Sequence, residues 1–332
     1  MSKSSSQDPL DRSSAEIGFE VSLAILMGLS AMFGNLLVVF VINKDSRLHN
    51  VTNMLINNLA LTDITMATIS MPFWIVCLYT GSWIFSQKLC QIAGSVLTIL
   101  AYTSIFTMGL IAINRYLQVV KPILYRKVFP GKRAARLYCV LVWLVATVIA
   151  IPFLGGWVGV SYNTRASICT AESSVYRSLI VGTFITGVMM TIFYCYFKIY
   201  KAVKESTENL NSHDQENGVS TINNSRRFDV TDINILKTCF TVACAFFITW
   251  SPISFFAARR TDLPQKVYTA STYLMFSSSL LNPFIYGIMN PRFKQAFKRA
   301  LQCGCNGNAN TDDDQARNEA RREHSGEIQA AA

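Results

Sequence analysis

The sequence predicts an all-α membrane protein: a seven-transmembrane helix bundle with a short amphipathic helix on its cytoplasmic surface. Three observations carry that expectation. Of 332 residues, 51% are hydrophobic and only 15% charged, with a mean hydropathy of +0.30, whereas a soluble domain carries about 25% charged residues. The charges gather in short blocks, with long apolar runs between them. Seven such runs can be drawn, roughly 17–42, 52–79, 89–119, 134–155, 175–200, 233–258 and 267–289, each long enough to cross a hydrocarbon core. In lipid only helices and closed barrels satisfy their own backbone, and runs this long without period-two alternation resolve to helices.

The connections set the orientation. Basic residues crowd after the first run (Lys44, Arg47), the third (Lys121, Arg126, Lys127, Lys132, Arg133, Arg136), the fifth (Lys198, Lys201, Lys204, Arg226, Arg227) and the seventh (Arg292, Lys294, Lys298, Arg299). Positive residues stay in the cytosol, so the amino terminus is expected outside and the carboxyl terminus inside. The net charge of +10 is read as this topology signal rather than as a nucleic-acid footprint. Met1–Glu20 is polar and lacks the pattern of a removable signal peptide. The expected organisation is an extracellular tail at 1–16, the bundle at 17–290, a membrane-surface helix at 291–301 and a disordered cytoplasmic tail at 302–332. The surface helix places Phe293, Phe297 and Leu301 at spacing four, with basic residues opposite, and so lies along the inner leaflet. Cys303 and Cys305 follow it as candidate acylation sites. Glu205–Ser225 is polar enough to be a mobile cytosolic loop. The sequons at Asn50 and Asn223 fall on the cytosolic side and are read as chance matches.

The third run organises the chain. From Gln91 to Ile113 it carries no charge, and then comes Asn114-Arg115-Tyr116. The helical rise from Cys90 to Arg115 is about 37 Å, more than the ~30 Å core, so cysteine and arginine sit at opposite faces. Asp63 is the one acid deep in a run, and an intramembrane carboxylate marks a functional site by default. Other runs carry Asn35, Trp143, Trp250-Ser251-Pro252 and Asn282-Pro283-Phe284-Ile285-Tyr286.

With such a feature in six of the seven runs, in this order, residues 17–301 resemble the rhodopsin-like (class A) G-protein-coupled receptors, nearest in motifs to melatonin receptors and opsins. The stretch Gly109–Tyr116, Cys90-Gln91 and Asn53 are similar to melatonin receptors, and Gly156-Trp157 to opsins. The resemblance implies a disulfide between Cys90 and Cys169, with Trp83 in the first outer loop. It implies a sodium ion, as an allosteric modulator, held by Asp63, Ser104, Ser279 and Asn282 with Asn35, an all-oxygen set suited to a hard cation. No other cofactor is required. It implies a switch built from Asn114, Arg115, Tyr116, Tyr196, Trp250 with Phe246, Pro252 and Tyr286. Asn114 replaces the family's usual acid, and an ionic pair of Arg115 with Asp232 is expected in the resting state. Ser278 and Val188 stand where the family often has Asn and Pro.

The ligand positions implied are Leu97, Thr98, Ala101, Ile180, Phe184, Ile253, Ser254, Ala257, Thr272 and Phe276, an apolar lining with a few hydroxyls that fits a small lipophilic ligand. Leu97 stands where amine receptors carry an acid, which argues against a biogenic amine. Phe276 stands where opsins carry the Schiff-base lysine, and Lys266 lies ten residues earlier, so no retinal Schiff base is expected. The function implied is that of a plasma-membrane receptor passing an extracellular ligand's binding to a heterotrimeric G protein. It is not an enzyme: His49, His213 and His324 are scattered. The alternatives are a receptor-fold scaffold or modulator without nucleotide exchange of its own, or an opsin relative without the lysine. A transporter predicts repeats and several intramembrane charges, and the sequence has one deep acid and no repeat.

Overall fold

The computed structural model describes residues 12–173, 186–216, 230–258 and 263–305, with side chains for all of these except 207–216, 230–233, 257–258 and 303–305. The bundle consists of seven long helices: Ser14–Lys44, Val51–Thr80, Gln87–Val120, Lys132–Leu154, Thr186–Glu216, Val230–Ala258 and Gln265–Met289. They are called the first to seventh spans below. A short helix, Pro122–Val128, follows the third span, and Pro291–Cys305 follows the seventh.

Local chemistry sets the ends. Ser13 caps the first span, accepting from the Glu16 amide while the Glu16 carboxylate accepts from the Ser13 amide. Asn50 caps the second span through the Asn53 amide, which gives this sequon asparagine a structural use. The second span is not a plain α-helix. Met66–Ser70 forms one π turn, and the span ends at Gly81 with φ 66°, a left-handed cap that suits glycine.

The third span lies at the centre, packing against the second, fourth, fifth and sixth. Prolines lie inside the fourth, sixth and seventh spans without ending them, and for Pro252 and Pro283 the freed carbonyl finds a side chain. Pro252 leaves the Ile248 carbonyl to the Ser251 hydroxyl at 3.3 Å. Pro283 leaves the Ser279 carbonyl to the Asn35 amide, from the first span, at 2.8 Å. That is the repair a helix needs where water is excluded.

The bundle carries one β element among its described residues. Val160–Asn163 pairs antiparallel with Ile168–Ala171, an addition to the all-helical expectation. The Cys90–Cys169 disulfide ties this hairpin to the third span. Around it pack Ala150, Phe153, Val160 and Ala171. The hairpin folds inward: Thr272 donates to the Ala166 carbonyl, and Gln265 to the carbonyls of Thr164 and Arg165. It thus covers the disulfide end of the bundle and is fastened to the seventh span. Trp83 and Tyr162 rings stand 6.4 Å apart beside it.

Two expected boundaries move. The fifth span runs as helix to Glu216, into the segment expected as a mobile loop, helped by the Lys201–Glu205 pair one turn apart. The surface helix runs through Cys305 rather than stopping at Leu301, so the tail expected from 302 begins as helix. Its apolar face is not given wholly to lipid. Phe293 is buried, stacked on Tyr286 with ring centres 5.4 Å apart, and Phe297 packs against Gly287, while Leu301 remains exposed.

Gly94 is where the hairpin comes closest to the third span. A Cβ there would stand 2.9 Å from both the Cys169 carbonyl oxygen and Val160 Cγ1. Gly94→Ala should therefore push the hairpin outward and cost about 1–3 kcal/mol, read as a lower thermal midpoint of the purified protein. Gly18→Ala, which meets nothing within 4 Å, should leave the midpoint unchanged or raise it slightly.

Candidate functional site

The site is a seam of buried polar groups through the bundle. Asp63, 3% exposed, accepts from the Asn282 amide at 2.7 Å and is also bonded by the Ser279 hydroxyl. Asn35 donates to the Ser279 and Ala31 carbonyls, while its own oxygen is buried without a partner. Two spans therefore meet at the carboxylate, the first joins them through the Ser279 carbonyl, and the donors to Asp63 are an amide and a hydroxyl rather than cations. Ser104 is buried as well. The oxygen chemistry fits a hard cation.

One turn toward the disulfide end, Trp250 donates from its indole nitrogen to the Ser278 hydroxyl at 3.0 Å and stacks on Phe246, centres 5.1 Å apart. Pro252 sits two residues beyond, inside the same helix. A second indole bond fastens the other side: Trp143 donates to Asn58, and Asn58 donates to Thr107, joining the fourth, second and third spans.

At the other end of the third span, Arg115 is half-buried. It donates to Gln118 at 2.9 Å, Cys239 of the sixth span lies alongside it, and its Nε has no partner. Asn114 turns away, accepting from Thr52 of the second span at 2.8 Å. Tyr116 faces Tyr194 at 6.0 Å, Tyr196 packs on Phe240, and Tyr286 is buried against the surface helix. Beside Arg115 opens a cavity of about 130 Å³, lined also by Asn53, Tyr125, Ile235 and Arg292. Asp232, the expected partner of Arg115, has its side chain outside the described residues.

The expected ligand positions are distributed unevenly. Leu97 and Phe276 line one small cavity with Ser70, Phe73 and Trp74, under the hairpin. Thr272 is fully buried, engaged with the hairpin and with its own helix at Tyr268. Thr98 bonds within its own helix to Gly94. Ile253 and Phe276 are buried, and Ala101 and Ser254 are half-buried. Among the described residues, this cavity borders the second, third and seventh spans rather than the fifth and sixth. Phe184 and Ile180 lie outside the described residues, as do the side chains of Ala257, Cys303 and Cys305.

Sequence reasoning passed over Trp74, Ser70, Asn58 and Thr52. The signal was available for the first two: spacing four puts them on one face of the second span. Asn58 lies on the same helix as Asp63, an unneeded amide in an apolar run.

Three comparisons bear on this geometry. The family model described as 7 transmembrane receptor (rhodopsin family) matches residues 34–286. The chain is 26% identical over 289 residues to melatonin receptor type 1A-A of Danio rerio, covering 82% of this chain and 78% of that one. It is 27% identical over 298 residues to rhodopsin of Todarodes pacificus, covering 84% and 66%. The crystal structure of squid rhodopsin superposes with a TM-score of 0.74 at 22% identity, covering 93% of this chain and 91% of that one.

Asn282→Leu takes the 2.7 Å amide donor from the Asp63 carboxylate and leaves it only the Ser279 hydroxyl, and Ser278→Ala strands only a neutral indole N–H. The first should cost about 2–3 kcal/mol and the second about 1 kcal/mol, measured as thermal midpoints of the two variants against the wild-type protein.

Proposed function

From the premise that the chain belongs to the rhodopsin family of seven-transmembrane receptors, we propose that it carries an extracellular signal to a heterotrimeric G protein. The amino terminus and hairpin face outward, the Arg115 end faces the cytosol, and the membrane is the plasma membrane. The protein acts without catalytic chemistry of its own. The observation that supports the reading best is the third span. Its one end is tied by a disulfide to a hairpin that covers the bundle. Its other end presents a half-buried guanidinium to a polar cavity. A ligand under the hairpin would shift a pre-existing equilibrium, and the sixth span, whose Cys239 lies against Arg115, would swing out to admit the G protein. Cys303 and Cys305 would anchor the surface helix in lipid by acylation.

The ligand is proposed to be small and weakly polar. Melatonin, in the names of several relatives, is the first compound to test. A retinal Schiff base is not proposed. Phe276 is packed 4.6 Å from Trp74, and the Lys266 amine pairs with Glu16 at 2.9 Å. Asn114 supports a second reading, a receptor-fold modulator without exchange activity, because it leaves Arg115 without an adjacent carboxylate.

Arg115→Ala separates the two. With each G-protein class reconstituted in turn, the variant should lose at least about tenfold of the wild-type exchange rate, a loss of about 1.4 kcal/mol, with unchanged surface expression; equal rates favour the modulator.

We propose further that sodium binds at Asp63, where Ser279, Ser104 and the unpartnered Asn35 oxygen complete an oxygen set. Replacing potassium by sodium chloride at constant ionic strength should lower basal exchange. In Asp63→Asn the two salts should give the same rate.

A further inference from the structure

Buried polar atoms without partners gather around the small cavity under the hairpin. Ser70 Oγ and Trp74 Nε1 in the second span, and Ser167 Oγ at the turn of the hairpin, are each buried with no formed hydrogen bond. The three residues are 9%, 1% and 1% exposed. All three line the same cavity of about 20 Å³, with Leu97, Phe73 and Phe276. Tyr162 Oη, which makes no bond of good geometry, stands close to Ser167 and Cys77. Buried polar groups are almost always paired, so several unpaired ones around a single hole point to an occupant.

Its chemistry can be read from the walls. An indole N–H can only donate, so the occupant must accept. Both hydroxyls can donate as well. No charged side chain lines the cavity among the described residues, and an ion there would be buried without a counter-charge; the accepting atom is therefore on a neutral group. The volume admits little more than one water, which needs about 10–15 Å³. The aromatic walls suit an apolar body attached to that atom.

We propose that this cavity anchors one neutral hydrogen-bond-accepting oxygen of the receptor's ligand, a carbonyl, ether or hydroxyl, received by Trp74 with Ser70 and Ser167. A water oxygen has the same chemistry and is the other source for this site. The inference rests on the receptor reading and adds the ligand class to it. It also places the anchor at the second span, apart from the fifth and sixth.

The test uses the full-length receptor in lipid nanodiscs and two isosteric probes, acetophenone and isopropylbenzene, which differ by a carbonyl oxygen in place of a methyl group. Binding is read from the ligand dependence of the thermal midpoint. Acetophenone should bind about tenfold more tightly than isopropylbenzene, the scale of one well-made hydrogen bond. Trp74→Phe keeps a ring but removes the N–H, and should bring the two affinities to within about threefold. Ser70→Ala should narrow the ratio too, and serves alone if Trp74→Phe does not fold. Equal binding of the probes, no saturable binding of acetophenone, or an unchanged ratio in the variants would overturn the anchor and leave a site for water only. Basal nucleotide exchange by the same wild-type preparation reads the receptor assignment separately. Exchange without oxygen preference sinks the anchor alone; oxygen preference without exchange with any G-protein class sinks the receptor reading alone.

Discussion

A polar atom inside a hydrocarbon slab has no water to turn to, and the Asp63 carboxylate feels this most. Its bonds to Asn282 and Ser279 tie the second span to the seventh. The same requirement brings Asn35 from the first span onto the Ser279 carbonyl that Pro283 sets free. It brings Trp250 from the sixth span onto Ser278. The seventh span thereby receives side chains from three neighbours. It is also the helix that buries Thr269, Ser271, Thr272, Ser278, Ser279 and Asn282. Its polar character is thus a consequence of position: the helix that repairs its neighbours' unmet groups cannot itself be uniformly apolar.

Against that fixed seam, the two ends of the third span differ in how firmly they are held. At the disulfide end, Cys90 and Cys169 close a separation of 79 residues, a cross-link worth about 4 kcal/mol in the chain-entropy account. Gln91 and Gly94 add direct contacts to the fourth span and the hairpin. At the other end, among the described residues, Arg115 donates one charge-assisted bond to Gln118, with the Cys239 thiol alongside, a bond worth about 1.5–3 kcal/mol. Among the described residues, the disulfide end is thus the more firmly held of the two.

The sequence made the helices legible because burial in lipid forces long apolar runs, and charge blocks mark their limits. The polar residues of the candidate site were legible for the same reason: Asp63, Asn282, Trp250 and Arg115 stand out against an apolar background. Four things were not. The hairpin spans only four residues on each strand, too short for a period-two signal beside such strong helices. The helical extension to Glu216 is polar, and composition alone assigns such a stretch to a loop. The cavity by Trp74 was missed because a tryptophan in an apolar run reads as core: spacing puts Trp74 and Ser70 on one face, but that the N–H has no partner shows only in three dimensions. The π turn at Met66–Ser70 is equally silent in sequence, yet it sets how the helix after it, with Trp74, is turned toward the hairpin.

The departures from the family pattern become coherent when their contacts are followed. Asn114, in place of an acid, accepts from Thr52 and so bonds the third span to the second instead of pairing with its neighbour Arg115. Ser278, in place of an asparagine, is short, and the Trp250 indole reaches it directly, coupling the sixth span to the seventh. Val188, in place of a proline, fills the space at Gly109, where an added Cβ would stand 2.9 Å from Val188 Cγ1. Each substitution removes a charge, an amide or a kink, and each is matched by a contact between spans that a larger or charged residue would obstruct. A neutral Asn114 also leaves the guanidinium beside it uncompensated by any adjacent carboxylate. Among the described residues, what holds the Arg115 end is its bond to Gln118 and its contact with Cys239 of the sixth span.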